Sequence, residues 1–253
     1  MKLFRICFSP TGGTKRAMEL LAAGLAGDAA EVDLTDPKAD FSAVEIAQTD
    51  VALIAVPSYG GRVPAVAAER IAALRGNGAR AVLVCVYGNR AYEDTLVELE
   101  DVAKRAGFVC AAGVAALAEH SIVRSIAADR PDAQDAAQLA DFARKIQQKL
   151  DAGDAAEPKL PGNRPYKKAG GAGMTPKPNR DCTNCGLCAR RCPVGAIDEK
   201  APSKVDGKAC ISCMRCIEVC PHAARKLNGA MRSMVGLALK KACAGRKEGE
   251  LYL

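Results

Sequence analysis

The 253-residue chain has no tryptophan, and its aromatic residues together make up only 4% of it. Its basic residues are therefore scattered with few flat rings between them, and a nucleic-acid surface is not expected. No apolar run approaches the length of a membrane span. The opening residues, Met1-Lys2-Leu3-Phe4-Arg5, put charges where a secretory signal needs an apolar stretch. A soluble, cytoplasmic protein is expected. The G-x4-G-K-[ST] and G-x-G-x-x-G patterns are both missing, which excludes a P-loop and weakens a dinucleotide fold. Histidine occurs only at His120 and His222. No catalytic triad, paired-carboxylate site or zinc-protease motif can be assembled, so whether the chain is an enzyme stays open.

Cysteine, by contrast, is abundant: there are twelve. Eight form two runs, Cys182, Cys185, Cys188 and Cys192 before Pro193, then Cys210, Cys213, Cys216 and Cys220 before Pro221. Both read C-x2-C-x2-C-x3-C-P, the run of bacterial two-cluster ferredoxins. Three thiolates at intervals of three can wrap one corner of an iron–sulfur cube, while the fourth points away toward the other cube. Cys182, Cys185, Cys188 and Cys220 are thus assigned to one [4Fe–4S] cluster, and Cys192, Cys210, Cys213 and Cys216 to a second. Zinc would want two well-separated ligand pairs per ion, and a disulfide framework would need an oxidising compartment. Cys7, Cys85 and Cys110 lie in apolar, strand-like runs and read as small core residues. Cys243 has no assigned role.

The formal charge of +7 is uneven. Residues 1–150 carry 17 Lys and Arg against 19 Asp and Glu, and residues 151–253 carry 19 against 10. Two oxidised clusters with their thiolates would contribute −4, leaving the second half at about +5. That balance suits a redox partner protein with an acidic surface.

Along the chain, strand-like segments at 2–8, 31–34, 51–56, 81–87 and 108–114 alternate with helical patterns near 14–26, 63–75, 92–106 and 132–150. Alternation with near-continuously apolar strands predicts an α/β fold, a flavodoxin-like doubly wound five-stranded parallel sheet over residues 1–150. Residues 151–178 are rich in glycine and proline, including Gly170-Gly171, and read as a linker or a loop lying on a surface. A small α+β ferredoxin-like domain is expected over 179–228. A tail over 229–253 is expected to pack back on the protein, with an amphipathic helix near Met231–Ala242.

Ser9-Pro10-Thr11-Gly12-Gly13-Thr14 joins the first strand to the first helix, where backbone N–H groups and the helix dipole favour an anion. This loop resembles the flavodoxin phosphate loop, [ST]-x-T-G-x-T. Pro57-Ser58-Tyr59-Gly60-Gly61-Arg62-Val63-Pro64 and Tyr87-Gly88-Asn89-Arg90-Ala91-Tyr92-Glu93-Asp94 follow the third and fourth strands, where flavodoxins place their flavin-contacting loops. With the cysteine runs, the chain is similar to the EFR-type flavodoxin–ferredoxin fusion proteins of anaerobic microbes, over roughly residues 1–225. The resemblance implies that Ser9, Thr11, Gly12, Gly13 and Thr14 hold the FMN phosphate. It places Pro57, Tyr59, Gly60, Gly88, Asn89 and Tyr92 around the isoalloxazine ring, with Tyr59 and Tyr92 flanking it. The chain departs from many flavodoxins in lacking a tryptophan for one ring face. Pro10 also removes one N–H from the phosphate loop.

Arg62 and Arg90 lie in the two ring loops, either as solvated charges or as a cation beside the reduced flavin. His120, after the last strand, reads as a hydrogen-bonded structural residue more readily than a catalytic one, and His222 as a cap or surface residue. The leading expectation is an electron-transfer protein that links two [4Fe–4S] clusters, FMN and a partner protein. The alternatives are an FMN-dependent reductase of a small molecule or quinone, and an iron–sulfur docking or sensing protein without flavin.

Overall fold

The computed structural model describes residues 1–170 and 173–253, so Gly171 of the Gly170-Gly171 pair lies outside the described residues. Val51–Pro57 (β3) and Arg80–Tyr87 (β4) are buried along almost their whole length, as strands covered on both faces must be. With Lys2–Cys7 (β1), Asp28–Asp33 (β2) and Val109–Leu117 (β5) they form a parallel sheet in the order β2-β1-β3-β4-β5. This is the flavodoxin-like doubly wound order, whose direction reverses between β1 and β3. Gly13–Ala22 (α1) and Ala133–Asp151 (α4) cover one face, and Ala65–Ala72 (α2) and Thr95–Arg105 (α3) cover the other. The first face packs Met18, Leu21, Leu53, Val84, Leu139 and Ile146, and the second Phe8, Ile54, Ile71, Leu83, Leu96 and Leu99. Cys7 belongs to the first core, Cys85 and Cys110 to the second, and burial pushes all three thiols well up.

Helix ends differ from the sequence reading for local reasons. α1 stops at Ala22 rather than near residue 26, and Gly24 just beyond it packs against α4, where a Cβ would come within 2.7 Å of the Ala143 Cβ. α2 starts at Ala65, since the residue before Pro64 is biased away from helix. α4 begins with a reciprocal cap: the Asp132 side chain accepts from the N–H groups of Gln134 and Asp135, and Asp135 returns a bond to the Asp132 N–H.

The segment after α4 is a strap bound to the sheet domain. Leu160 is buried in the core over Gly113, where a Cβ would overlap it. Asp94 accepts from the N–H groups of Asn163 (2.8 Å) and Lys167 (2.7 Å), and Arg164 pairs with Glu100 (2.9 Å) and Asp101 (2.7 Å).

The small unit that follows is closed by Lys177–Pro178 (β6) pairing antiparallel with Arg225–Lys226 (β7). Between them lie two single helical turns, Leu187–Arg190 (α5) and Arg215–Glu218 (α6). Each is entered through a left-handed residue, Gly186 (φ 72°) and Met214 (φ 62°), so the doubled cysteine run folds as a doubled structure. The helix Gly229–Lys240 (α7) then leads back, starting two residues earlier than expected because Asn228 caps it by accepting from the Met231 N–H.

The chain ends as Glu250–Tyr252 (β8), antiparallel to β5, with Gly113 opposite Tyr252 and Ala115 opposite Glu250. The five expected parallel strands are therefore joined by a sixth that the sequence reading did not foresee. The small unit is inserted between α4 and this last strand.

The Gly113–Leu160 contact can be tested by a double-mutant cycle. Gly113→Ala is expected to cost about 1–3 kcal/mol by overpacking, and Leu160→Ala about 2–5 kcal/mol by leaving a cavity. Urea unfolding of the double variant should show a loss smaller than the sum, because the new methyl fills part of the vacated space.

Candidate functional site

In the small unit, the inward turns bring the cysteines into two groups. A cavity beside β7 is walled by Cys182, Cys185, Cys188 and Cys220 together, three from the first run and the last from the second. Cys213 is buried among Cys192, Cys210 and Cys216. Burial pushes the Cys213 thiol up to about 11 and Cys216 to about 12; the Arg225 cation opposes the rise at Cys216, and charges on neighbouring cysteines add to both. At Cys220 burial works in the same direction, but N–H groups of Ala224, His222 and Arg225 outweigh it and lower the thiol. Buried thiols of this kind stay protonated until a metal displaces the proton. The fourth cysteine of each run accepts from the N–H four residues on: Ala196 to Cys192 Sγ and Ala224 to Cys220 Sγ, both 3.3 Å. All twelve cysteines are free thiols. Among the described residues no three His, Cys, Asp or Glu side chains converge tightly enough to share a single metal ion. A four-iron cube does not need such convergence, because each thiolate holds a different iron.

The second site lies at the C-terminal ends of β1, β3 and β4, where open α/β sheets bind ligands. Gly12 (φ 88°) takes the left-handed turn that only glycine adopts at little cost, and as the cap of α1 it has no side chain of its own to bond the first-turn N–H groups. Gly13 lets the loop approach β5, since a Cβ there would lie 3.0 Å from Ala118. Ser9 is held at both ends: its N–H donates to Thr35 Oγ1 (2.8 Å) and its Oγ accepts from the Lys15 N–H (2.9 Å). Thr14 is buried, and Thr11 is half-buried at the loop tip. Pro57 ends β3; Tyr59 and Gly60 follow it in a tight turn closed by the Tyr59–Arg62 backbone pair. Gly88 packs on His120, where a Cβ would come within 2.7 Å of Cδ2.

Two of the ring-loop residues are engaged elsewhere. Asn89 is buried and donates to the carbonyls of Cys243 (3.1 Å) and Gly245 (2.9 Å), while accepting from the Lys247 N–H (3.3 Å). The Tyr92 ring packs edge-on to Tyr87 at 5.2 Å, and its hydroxyl reaches Glu250 (2.9 Å) and Tyr252 (2.8 Å) of β8. Both side chains hold the C-terminal segment that the sequence reading left as a tail.

The two arginines are engaged as well. Arg62 is bidentate to Glu98, at 2.7 Å from both Nε and Nη2, and lies 4.9 Å over the Tyr166 ring. Arg90 bonds Glu93 at 2.8 and 3.1 Å. Arg62 is therefore neutralised by its own carboxylate, whereas Arg90 shares Glu93 with Lys167.

The small unit sits on these loops. Arg215 of α6 donates from Nη1 to the Pro10 carbonyl of the phosphate loop (3.1 Å). Arg70 of α2 donates to the Pro193 carbonyl (2.6 Å), Arg124 pairs with Glu218, and Ile211 packs against the second sheet core. Cys213 lies close enough to Tyr59 that its charge adds to the upward push of burial on the tyrosine hydroxyl. Residues 210–216 are thus seated at both the phosphate loop and the first ring loop.

His120 closes the loop after β5. Its Nδ1 accepts from the N–H groups of Ile122 (3.2 Å) and Val123 (3.1 Å), which requires an unprotonated Nδ1, and burial lowers its pKa. His222 is exposed beside the first cysteine cavity. Because the folded His120 resists the proton that the unfolded chain takes up below about pH 6.5, stability should fall as pH drops through that value. Urea unfolding at pH 7.5 and 5.5 should show this loss in the native chain and a smaller one in His120→Asn. An identical loss in both would assign it to other groups.

Residues 177–221 match the 4Fe-4S dicluster domain family. No curated protein matches the chain. Solved structures similar to its first part include the rubredoxin oxygen:oxidoreductase of the anaerobe Desulfovibrio gigas, at 15% identity and TM-score 0.42 over 61% of this chain. The chain spans only 37% of that protein's length. A Streptococcus pneumonia flavodoxin is 21% identical at TM-score 0.40, over 58% of this chain and 99% of its own. A Fusobacterium nucleatum flavodoxin variant bound to flavin mononucleotide is 14% identical at TM-score 0.38, over 58% of this chain and 95% of its own. No helix among the described residues is long and apolar enough to cross a membrane. The chain therefore joins a flavodoxin-like doubly wound sheet, by its strand order, to a small unit whose residues 177–221 match the 4Fe-4S dicluster domain family.

Proposed function

We propose that the protein is an intramolecular electron relay. Cys182, Cys185, Cys188 and Cys220 hold one [4Fe–4S] cluster, Cys192, Cys210, Cys213 and Cys216 hold a second, and the flavodoxin-like domain holds FMN. The observation that carries this reading is the seating of residues 210–216 on both the phosphate loop and the Tyr59 loop. When bound, the clusters supply one-electron carriers and the flavin a carrier for one or two electrons.

The chain's own residues supply binding and placement. Ser9, Thr11 and Thr14 offer hydroxyls, and Gly12 and Gly13 offer N–H groups, to the FMN phosphate at the start of α1. Pro57, Tyr59, Gly60 and Gly88 line the ring site. Asn89 and Tyr92 hold β8 and its approach instead, so the ring contact falls to Tyr59. The inner cysteine group faces the flavin loops, while Cys185 of the outer group is exposed. The outer group is therefore the entry or exit point for a partner protein. Exposed Arg180, Arg191, Lys200, Lys204, Lys208 and Lys226 on the same unit support a partner with an acidic surface. A groove of about 620 Å³ lies between α7 and residues 123–127, and none of its lining residues belongs to the flavin loops. It gives no support to a substrate pocket beside the ring.

Protein purified without oxygen should contain about eight irons per chain, as two four-iron clusters require, and one FMN. Eight irons with no flavin, and no uptake of added FMN, would leave the first domain as a docking scaffold. Arg215, held at the phosphate loop by its bond to the Pro10 carbonyl, places a cation beside the phosphate position. Arg215→Gln should therefore weaken FMN about tenfold or more, as loss of a charge-assisted bond would, and leave riboflavin, which has no phosphate, nearly unaffected. Equal weakening of both ligands would show that Arg215 serves domain packing alone.

A further inference from the structure

The most completely buried large side chain of the iron–sulfur unit is a cation. Arg225 on β7 is only 2% exposed. Its partners among the described residues are two carbonyl oxygens, those of Pro176 (3.0 Å) and Pro202, and its Nε has none. A guanidinium does not lose its proton in a protein, and burying it without an anion is costly. The same side chain lines the cavity walled by Cys182, Cys185, Cys188 and Cys220.

The internal repeat sharpens the point. The N–H to Sγ bonds of Ala196 with Cys192 and of Ala224 with Cys220 align the two runs, so Arg225 occupies the position filled by Ile197 in the first copy. Ile197 is also buried, and it packs among apolar neighbours. One copy of the motif thus closes its core with a hydrocarbon, the other with a fixed positive charge.

We propose that Arg225 is the internal counter-cation of the outer cluster and makes its reduction potential higher than that of the inner one. This rests on the reading of the eight cysteines as cluster ligands, and it is independent of FMN. One-electron reduction by an external donor takes a four-thiolate [4Fe–4S] centre from −2 to −3. A cation fixed at the cavity wall favours the more negative state; its charge also reaches Cys216 of the inner group, but Arg225 lines the outer cavity itself, and Ile197 at the matching inner position carries no charge. Arg225 is a positioning and tuning residue; it exchanges neither electrons nor protons.

The test is a dithionite redox titration of the anaerobically purified full chain, followed by electron paramagnetic resonance, with iron measured in parallel. The variants are Arg225→Gln, Arg225→Ile and Arg225→Lys. The native chain should show two unequal potentials. In the Gln and Ile variants the higher one should fall by about tenfold or more in the reduction equilibrium, 59 mV for one electron. The Lys variant should stay near the native value. If Gln fails to retain iron while Lys retains it, the charge is needed to assemble the outer cluster, which also supports the proposal. Unchanged potentials in the Gln variant at full iron content would overturn it. So would equal shifts, or equal iron loss, in Gln and Lys, because the role would then be one of packing. A native chain without iron would instead overturn the cluster reading itself, and that outcome is visible before any variant is made.

Discussion

The rest of the structure depends on the seating of a small cysteine-rich unit on the ligand-binding edge of a parallel sheet. A doubly wound sheet gathers its loops at the C-terminal ends of its strands, and here Arg215 bonds the loop after β1 directly while Cys213 lies within charge reach of Tyr59 in the loop after β3. The contacts are of mixed type: Arg215 to a loop carbonyl, Arg70 to the Pro193 carbonyl, an Arg124–Glu218 ion pair, and Ile211 in the sheet core. Apolar packing sets the distance, and the hydrogen bonds set the register.

Covalent connectivity reinforces that seating. The chain leaves the sheet domain by a strap that buries Leu160, and returns through α7 to add β8 to the sheet. The return is held by Asn89, by Arg130 donating to the Lys247 carbonyl (2.8 Å), and by Gly249 donating to Gln138 (2.7 Å). Two attachments, rather than one flexible tether, connect the units, so the relation between the cysteines and the sheet loops does not rest on linker statistics. The return also explains why two residues that resemble ring-binding positions are engaged elsewhere, with Asn89 and Tyr92 serving as anchors for the chain end.

Charge follows the same logic of local pairing. In the sheet domain, partly buried cations meet carboxylates, as in Arg62–Glu98 and the buried Arg130–Asp135 pair. In the small unit, the buried Arg225 meets, among the described residues, carbonyl oxygens and the cysteine cavity. The first half is balanced within itself, whereas the second half balances its interior only when its thiols become thiolates on a metal.

Much of this was legible in the sequence. Periodicity and apolar runs determined the five parallel strands and their helices, because strands buried on both faces can be built in few other ways. Spacing determined the two cysteine runs, because thiolate geometry around a cube constrains intervals of three. The glycines of residues 9–14 were readable because a left-handed turn at Gly12 needs one. Only the tertiary structure decided which side chains are consumed by packing. Three residues, Glu250 to Tyr252, are too short a run for periodicity to reveal a strand, and their pairing depends on an exposed edge at β5. That Arg62 is neutralised depends on a carboxylate brought near by folding, since Glu98 is 36 residues away in the chain, whereas Arg90 finds Glu93 three residues on and shares it with Lys167. The contrast between Arg225 and Ile197 was present in the sequence, but burial gives it meaning: a charge at that position matters only because the fold removes it from water.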